Sequence, residues 1–190
     1  PTLMTILHDH NIVSYDHGLY PRYKEIIAGT GLQFFNVMGN HDMVNNGRSF
    51  ETTFGKYEES FGPAYYSMNV GNIHYVFLND NFYVGREYFY IGYLDEKQFA
   101  WLEKDLSYIK EGSTVVLVMH IPTTTSAEDR KKFSYTEAGA TMANKTALYK
   151  MLSPYKAHII SGHTHTAANQ QVNANIFEYN LPALSGAWWQ

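Results

Sequence analysis

The sequence contains no cysteine, which excludes disulfide bonds and thiolate metal sites. It has no run of basic residues and a formal net charge of −4 at pH 7, so electrostatic binding to nucleic acid or to an anionic membrane is not indicated. No apolar stretch approaches the roughly 18–20 residues that a membrane-spanning helix needs. A metal ion would therefore be bound by His, Asn, Asp or Glu side chains, which suit Mn, Fe, Zn or Ni.

The chain has 190 residues, which is enough for one domain with a sizeable core and too few for two of ordinary size. Hydrophobic residues make up 45% and charged residues 17%, which is typical of a globular protein and not of a disordered one. Aromatic residues reach 16%, which favours a sheet-rich fold because strands accommodate large aromatic side chains. No internal repeat divides the chain. We therefore expect residues 1–190 to belong to a single domain.

Strand-like and helix-like segments alternate along the chain, which is typical of an α/β fold. Short apolar runs predict buried strands at residues 2–7, 32–38, 115–119 and 158–160. Helical spacing of apolar residues predicts helices at residues 20–28, 50–61 and 143–152 and a helix capped by Asp95. The Gly71-Asn72 pair predicts a hairpin between residues 65–70 and 73–78. The rest is interpreted as loops at residues 79–93 and 121–140 and as further strand pairing at residues 171–184.

Three of the predicted strands end in the same way, with an apolar run followed at once by residues that can bind a metal. The segments are FFNVMGNHD (residues 34–42), VVLVMHIP (115–122) and HIISGHTHT (158–166). In an open α/β sheet, ligands collect beyond the carboxyl ends of the strands. If these strands run parallel, one edge of the sheet brings together five side chains: Asn40, His41, His120, His163 and His165.

The sequence His163-Thr164-His165 is informative by itself. In an extended segment, a spacing of two residues puts both imidazoles on one side, where they can reach one metal ion or two adjacent ones. Each fragment alone has a simpler explanation, because a lone His at a strand end is usually a surface residue and GNHD can form a turn. The three strand endings together favour a metal site.

These residues resemble a known family. GNHD at residues 39–42, the His120 that follows an apolar strand, and GHTH at residues 162–165 resemble the last three motifs of the calcineurin-like metallophosphoesterases. Longer segments resemble a bacterial branch of that family, so the similarity extends over nearly the whole chain. They are FGPAYYSMNVGNIHYVFLND (residues 61–80), LDEKQFAWLEKDL (94–106) and SGAWW (185–189).

The resemblance implies a layered β-sandwich flanked by helices, with a metal site at the carboxyl ends of the strands. It implies a hydrolase of phosphate mono- or diesters with two divalent ions, Mn, Fe, Zn or Ni, which clamp the phosphate and activate a water for in-line attack. Asn40, His120 and His163 would bind one ion and His165 the other. His41 would assist the leaving group, and Asp42 would orient His41.

The amino-terminal part departs from the family pattern. Family members carry an Asp-x-His that binds the first ion and a Gly-Asp whose carboxylate bridges the two ions, and neither is recognisable here. The Asp-x-His would precede Pro1, so we expect the domain to be incomplete at its amino terminus. Matching MTILHD with the second motif places Met4 and Thr5 on its Gly and Asp, whereas another register places Asn11 on that Asp.

One metal site therefore keeps three ligands and the other keeps only His165. We expect this chain to bind one metal ion or none, and to hydrolyse little. Three residues near the first strand are interpreted as a polar loop, with substitute ligands as the alternative: His8, Asp9 and His10. Three further histidines are interpreted as having no direct role: His17, His74 and His158.

A second hypothesis is a degenerate family member that keeps the fold as a binding or scaffold module. The partner of the enzyme would be a small or macromolecular phosphoester, and the sequence leaves its identity and the oligomeric state open. The resemblance favours a periplasmic or secreted location. The SGAWW ending predicts a further segment after Gln190.

Overall fold

The computed structural model describes residues 3–7, 16–44, 47–85, 89–125 and 137–182. Ten strands lie in this part of the chain: β1 (Leu3–Leu7), β2 (Gln33–Val37), β3 (Tyr66–Val70), β4 (Ile73–Phe77), β5 (Asn81–Gly85), β6 (Phe89–Gly92), β7 (Thr114–Val118), β8 (Lys156–Ser161), β9 (Ala168–Gln171) and β10 (Ile176–Asn180). The same residues form six α-helices: α1 (Tyr20–Gly29), α2 (Phe50–Thr53), α3 (Gly55–Phe61), α4 (Glu96–Leu106), α5 (Glu137–Ala140) and α6 (Lys145–Leu152).

The largest sheet has six strands in the order β3-β4-β7-β8-β10-β9. The four inner strands are parallel, and the edge strands β3 and β9 run antiparallel to their neighbours. β1 and β2 form a separate parallel pair, and β5 and β6 form an antiparallel hairpin. The fold is therefore mixed α/β, as predicted.

The six-stranded sheet is covered on both faces. On one face α4 and α6 pack through their leucines, including Leu102 and Leu148, both fully buried. On the other face Val37 of β2 packs with Phe77 and Val118 of the large sheet. Helices, the large sheet and the β1–β2 pair thus form successive layers, which is the architecture that the resemblance implies.

Strand β7 shows how the sequence produces this layering. Val115 and Leu117 face the helices, whereas Val116 and Val118 face β2. Because both faces of a central parallel strand are buried, its sequence is a continuous apolar run without alternation. The predicted strand at residues 115–119 is confirmed, with bounds one residue earlier.

Helix α4 begins as the sequence predicts. The Asp95 side chain accepts a hydrogen bond from Gln98 N at 2.8 Å, which satisfies one of the unpaired amides of the first turn. The buried Gln98 side chain then donates to Asn79 O and accepts from Asn79 N. Helix α4 is therefore fixed to the carboxyl end of β4.

Two predicted elements differ from the structure. Residues 79–93, interpreted as a loop, contain the β5–β6 hairpin. Its inward polar side chains are satisfied by hydrogen bonds, as when Asn81 Nδ2 donates to Met38 O at 2.8 Å. The predicted helix at residues 50–61 is divided into α2 and α3. Phe54 has φ −108° and ψ 2°, outside helical values, and is followed by Gly55, a poor helix former.

Other predicted elements are confirmed. β3 and β4 form the expected hairpin, with Gly71 at a positive φ of 59°. β9 and β10 are the strand pairing expected for the tail. Of the predicted loop at 121–140, residues 121–125 are without regular structure, while residues 137–140 form α5. No helix among the described residues has the length and apolar character needed to cross a membrane.

Candidate metal centre

The residues predicted to bind metal follow β2, β7 and β8. Asn40 begins a short 3-10 helix (Asn40–Asp42), three residues after β2 ends. His120 and His163 each come two residues after the end of their strands. β7 and β8 are parallel neighbours in the large sheet, but β2 belongs to the separate β1–β2 pair. The expected convergence on one sheet edge is therefore wrong in this detail, because the stacking of two sheets brings Asn40 to the histidines.

Three of the four predicted ligands meet directly. His120 Nε2 lies 2.7 Å from Asn40 Oδ1 and 3.0 Å from His163 Nδ1. All three side chains are buried, and the two imidazole rings are 4.8 Å apart at 65° to each other. Atoms that carry lone pairs thus approach one another in the protein interior, which is unfavourable unless a proton or a cation lies among them.

The carbonyl of Gly139 fixes the tautomer of His163. His163 Nε2 is 2.9 Å from Gly139 O, and a carbonyl oxygen can only accept, so Nε2 carries the hydrogen. In the neutral imidazole the lone pair is then on Nδ1, the nitrogen that faces His120. A hydrogen bond from the ring nitrogen that does not bind the metal is the usual means by which a protein orients a metal-binding histidine.

The segment that carries His163 and His165 is not extended, contrary to the expectation from its sequence. His163 has φ 65° and His165 has φ 59°, both in the left-handed region. Thr164 N donates to Gly162 O at 2.7 Å, which closes a tight turn around His163. Such conformations cost of order 1–3 kcal/mol each and concentrate at functional sites. His165 follows this turn and is half-buried.

The GNHD segment forms a turn held by the Asp42 side chain. Asp42 Oδ2 accepts from Gly39 N at 2.8 Å, and Asp42 Oδ1 accepts from Tyr20 OH at 2.8 Å. Burial and the nearby Asp42 carboxylate raise the pKa of Tyr20 well above its usual range, so its hydroxyl remains a donor. This turn presents Asn40 toward His120, and His41 is the next residue of the turn.

Two supporting residues were not identified from the sequence. His17 was interpreted as having no direct role, yet His17 Nε2 lies 2.8 Å from the carbonyl oxygen of Asp42, to which it can only donate. Tyr20 was recognised only as the start of a helix. The Tyr20 and His17 rings contact each other edge to face, with their centroids 5.3 Å apart. Nothing in the local sequence indicates that a helix 20 residues away supports this turn.

Asp80 supports the backbone at His120. It is fully buried and accepts from His120 N at 3.1 Å and from Ile121 N at 2.9 Å. Burial raises the pKa of the Asp80 carboxyl to about 8, although these two backbone hydrogen bonds act in the opposite direction. Asp80 lies three residues after the end of β4 and directly before β5, where the apolar run gives way to Asn and Asp.

The donor set is consistent with one divalent ion. Ligand atoms on neighbouring corners of a six-coordinate shell with bonds of about 2.1 Å lie about 3.0 Å apart, close to the 2.7 and 3.0 Å separations found here. Amide oxygen and imidazole nitrogen are suitable donors for Mn, Fe, Ni or Zn. The set found here has two imidazoles and one amide. Within the described ranges, no three His, Cys, Asp or Glu side chains come together as a metal cluster.

Some sequence predictions concern residues outside the described ranges. These are the possible substitute ligands His8, Asp9 and His10, the alternative bridging position Asn11, and the SGAWW segment. Met4 and Thr5 lie within β1, paired with Phe34 and Phe35. The other histidines interpreted as structural lie away from the ligands, His74 beside Asp105 and His158 against Phe177.

The structure resembles that of a dimetal phosphatase from Danio rerio, with a TM-score of 0.57 and 14% sequence identity over 88% of this chain and 69% of that one. At this identity the likeness concerns the fold. None of the curated proteins compared with the sequence matches it. Residues 7–167 match the sequence family described as calcineurin-like phosphoesterase. The chain therefore belongs to the calcineurin-like phosphoesterase family of metal-dependent hydrolases.

Proposed function

We propose that this chain hydrolyses phosphate mono- or diesters at the site formed by Asn40, His41, His120 and His163. The observation that carries the proposal is the meeting of Asn40 Oδ1, His120 Nε2 and His163 Nδ1 at 2.7 and 3.0 Å. A binding module without chemistry would not need the His41-Asp42 pair directly after the proposed ligand Asn40. Family membership supports phosphoester hydrolysis in general, and the assignment of residues is our proposal.

In this proposal Asn40, His120 and His163 hold one divalent ion, and His165 alone does not supply enough ligands to retain a second. A divalent ion supplies Lewis acidity, which stabilises the negative charge of the phosphoryl group in the transition state. His41 donates a proton to the leaving-group oxygen. Asp42 positions His41 through the Gly39 and Tyr20 contacts that hold the turn. The buried surroundings strengthen these interactions because little water competes with them.

The test is an assay of the full chain with Mn²⁺ against a panel of phosphate mono- and diesters, with metal binding measured separately by calorimetry. His41→Ala should keep the metal and lose rate by roughly 10²–10⁴-fold, the range for removal of a general acid. His120→Ala should lose both the metal and the activity. His158→Ala is the matched control, since this histidine stacks on Phe177 on another part of the sheet. Full activity in His41→Ala would show that its role is misassigned.

The number of metal ions is a separate part of the proposal. The described residues bring together one set of three donors, and none of them is a carboxylate. A bridging carboxylate is what normally allows two cations to lie side by side without strong repulsion. We therefore propose that this chain binds about one ion. Elemental analysis that finds two firmly bound ions per chain would contradict this stoichiometry.

The same observation supports a second candidate function, a catalytically weak member that binds a phosphoester or metal without efficient turnover. The two candidates differ in one measurement. A weak member would bind Mn²⁺ through Asn40, His120 and His163 but show no difference in rate between the unchanged chain and His41→Ala. A loss of rate in His41→Ala would reject this second candidate.

A further inference from the structure

We propose that Glu178 is a positioning residue that sets the metal-binding geometry of His120 and His163 from strand β10. The inference rests on the proposed function, because it concerns the same metal site. β10 supplies none of the predicted ligands. Its residues alternate, so that Ile176 packs in the core beneath the helices, and Glu178 and Asn180 are buried two and four residues further along the same face.

Glu178 binds the segment that follows His120. It is 2% exposed, so its carboxylate is removed from water. Glu178 Oε1 accepts from Thr123 N at 2.7 Å, and Oε2 accepts from Thr124 N at 3.0 Å. The hydroxyls of Thr123 and Thr124 also donate to Oε2, at 2.5 and 2.9 Å. One buried carboxylate thus fixes two successive residues by both backbone and side chain.

Asp80 completes the support of this segment from the other side. Residues 120–124 have four backbone N–H groups, because Pro122 has none. Asp80 accepts those of His120 and Ile121, and Glu178 accepts those of Thr123 and Thr124. Every backbone donor of the segment is therefore bound by the buried acidic side chain of Asp80 or Glu178. The position of His120 is fixed by these bonds.

Strand β10 also contacts the segment that carries His163. Ser161 Oγ donates to Glu178 Oε1 at 3.0 Å, two residues before His163. Asn180 Nδ2 donates to Thr164 Oγ1 at 2.7 Å, between the two histidines of the turn. Glu178 is therefore bonded to both ligand-bearing segments at once, and a shift of its carboxylate would move His120 and His163 relative to each other.

A neutral amide cannot reproduce these contacts. Glu178→Gln replaces one acceptor oxygen by an NH₂ group, which donates and does not accept. Whichever way the amide is oriented, Thr123 N or Thr124 N loses its acceptor and faces a second donor. The segment must then rearrange, whereas the ligands themselves are unchanged in chemistry.

The experiment compares Mn²⁺ affinity and thermal stability of the full chain with those of Glu178→Gln and Asp105→Asn. Asp105 is the matched control, because its carboxylate binds His74 at 2.7 Å and Ser67 at 2.8 Å at the opposite end of β4. Both variants should lower the melting temperature. Only Glu178→Gln should weaken Mn²⁺ binding, by about tenfold or more, as expected for loss of an outer-shell contact. Calorimetric titration with Mn²⁺ alone provides the readout.

A milder variant covers the case in which Glu178→Gln does not fold. Thr124→Val removes one hydroxyl that donates to Glu178 Oε2 and keeps the backbone bonds, and it should weaken Mn²⁺ binding about threefold. Unchanged affinity in both Glu178 and Thr124 variants, or an equal loss in Asp105→Asn, would overturn the positioning role and leave the proposed function intact. Absence of Mn²⁺ binding to the unchanged chain, or undiminished binding in His120→Ala, would instead overturn the proposed function.

Discussion

Side chains from outside the GNHD segment hold the Asn40–Asp42 turn in place. Tyr20 at the start of α1 donates to Asp42 Oδ1, and His17 donates to the Asp42 carbonyl. Neither residue is a proposed ligand. The precision of the turn nevertheless depends on them, because a hydrogen bond to a carboxylate restricts the rotation of the group that presents His41.

Tyr20→Phe should therefore reduce turnover several-fold and lower the free energy of unfolding by about 1–3 kcal/mol, since it removes a buried hydrogen bond to a charged group. Tyr23→Phe is the matched control. Tyr23 lies one turn further along α1, and its hydroxyl donates to Asn36 Oδ1 of β2 at 2.7 Å, before the GNHD turn begins. Steady-state kinetics and urea denaturation of both variants provide the measurement. Equal loss of turnover in the two variants would show that only the packing of α1 matters.

Tyr23 also predicts a pH dependence of stability. Burial, with the charge of Asp42, raises the pKa of the Tyr23 hydroxyl from 10.0 to about 12. Between these values the folded chain holds a proton that the unfolded chain has lost, so the free energy of unfolding should fall as the pH rises from 10 to 12. Tyr23→Phe should lack this part of the decline. Urea denaturation at intervals from pH 9 to 12 measures it, and parallel curves would contradict the prediction.

Among the secondary-structure elements, helix α4 links the large sheet to the candidate site. Its leucines pack on the large sheet, and its Gln98 binds both backbone groups of Asn79, next to Asp80. Helix packing thus contributes to placing the carboxylate that holds His120. The sequence predicted this helix and its Asp95 cap, because the spacing of apolar residues and the capping residue are local signals.

Leu102→Ala should lower the free energy of unfolding by about 2–5 kcal/mol, because Leu102 is fully buried between α4 and the sheet and its removal leaves a cavity. Glu96→Ala, an exposed change in the first turn of the same helix, should alter it by about 0.5 kcal/mol or less. Chemical denaturation measures both. A small effect of Leu102→Ala would mean that the site collapses around the missing side chain.

At the scale of the whole molecule, the two faces of the large sheet share the same strands. Val115 and Val116 are neighbours in β7, yet one packs beneath the helices and the other beneath β2. A loss of order in this strand removes support from both layers together. We therefore propose that residues 1–190 belong to one folding unit.

A single unit should unfold in one transition. Far-ultraviolet circular dichroism, which reports on helices and strands, and near-ultraviolet dichroism, which reports on aromatic packing such as the Tyr65–Trp101 contact, should give coincident curves in urea. Separate midpoints would show that one layer unfolds independently. The β5–β6 hairpin, which pairs with neither of the other sheets, is where such a division would begin.

The sequence pattern predicted the alternation of strands and helices and the strand ends that carry the proposed ligands, and the family resemblance implied the layers. The side chains that support those strand ends were not predicted. Apolar runs and helical spacing are local patterns, so β7, β8 and α4 could be recognised directly. The β5–β6 hairpin was missed because Asn81 and its neighbours read as polar loop residues, and their partners lie far away in the chain. One available signal was the two-residue spacing of Ile176, Glu178 and Asn180, which puts the two polar side chains on the same inward face of β10 as Ile176.

The left-handed backbone at His163 and His165 also limits which other residues could take their places. Asn, Asp and Gly adopt positive φ readily, whereas β-branched side chains do so at high cost. Among metal-binding residues, Asn and Asp are therefore the replacements for these histidines that fit this backbone best. If His163 and His165 bind metal as proposed, such a replacement should move the metal preference toward the harder ions, Mn and Mg.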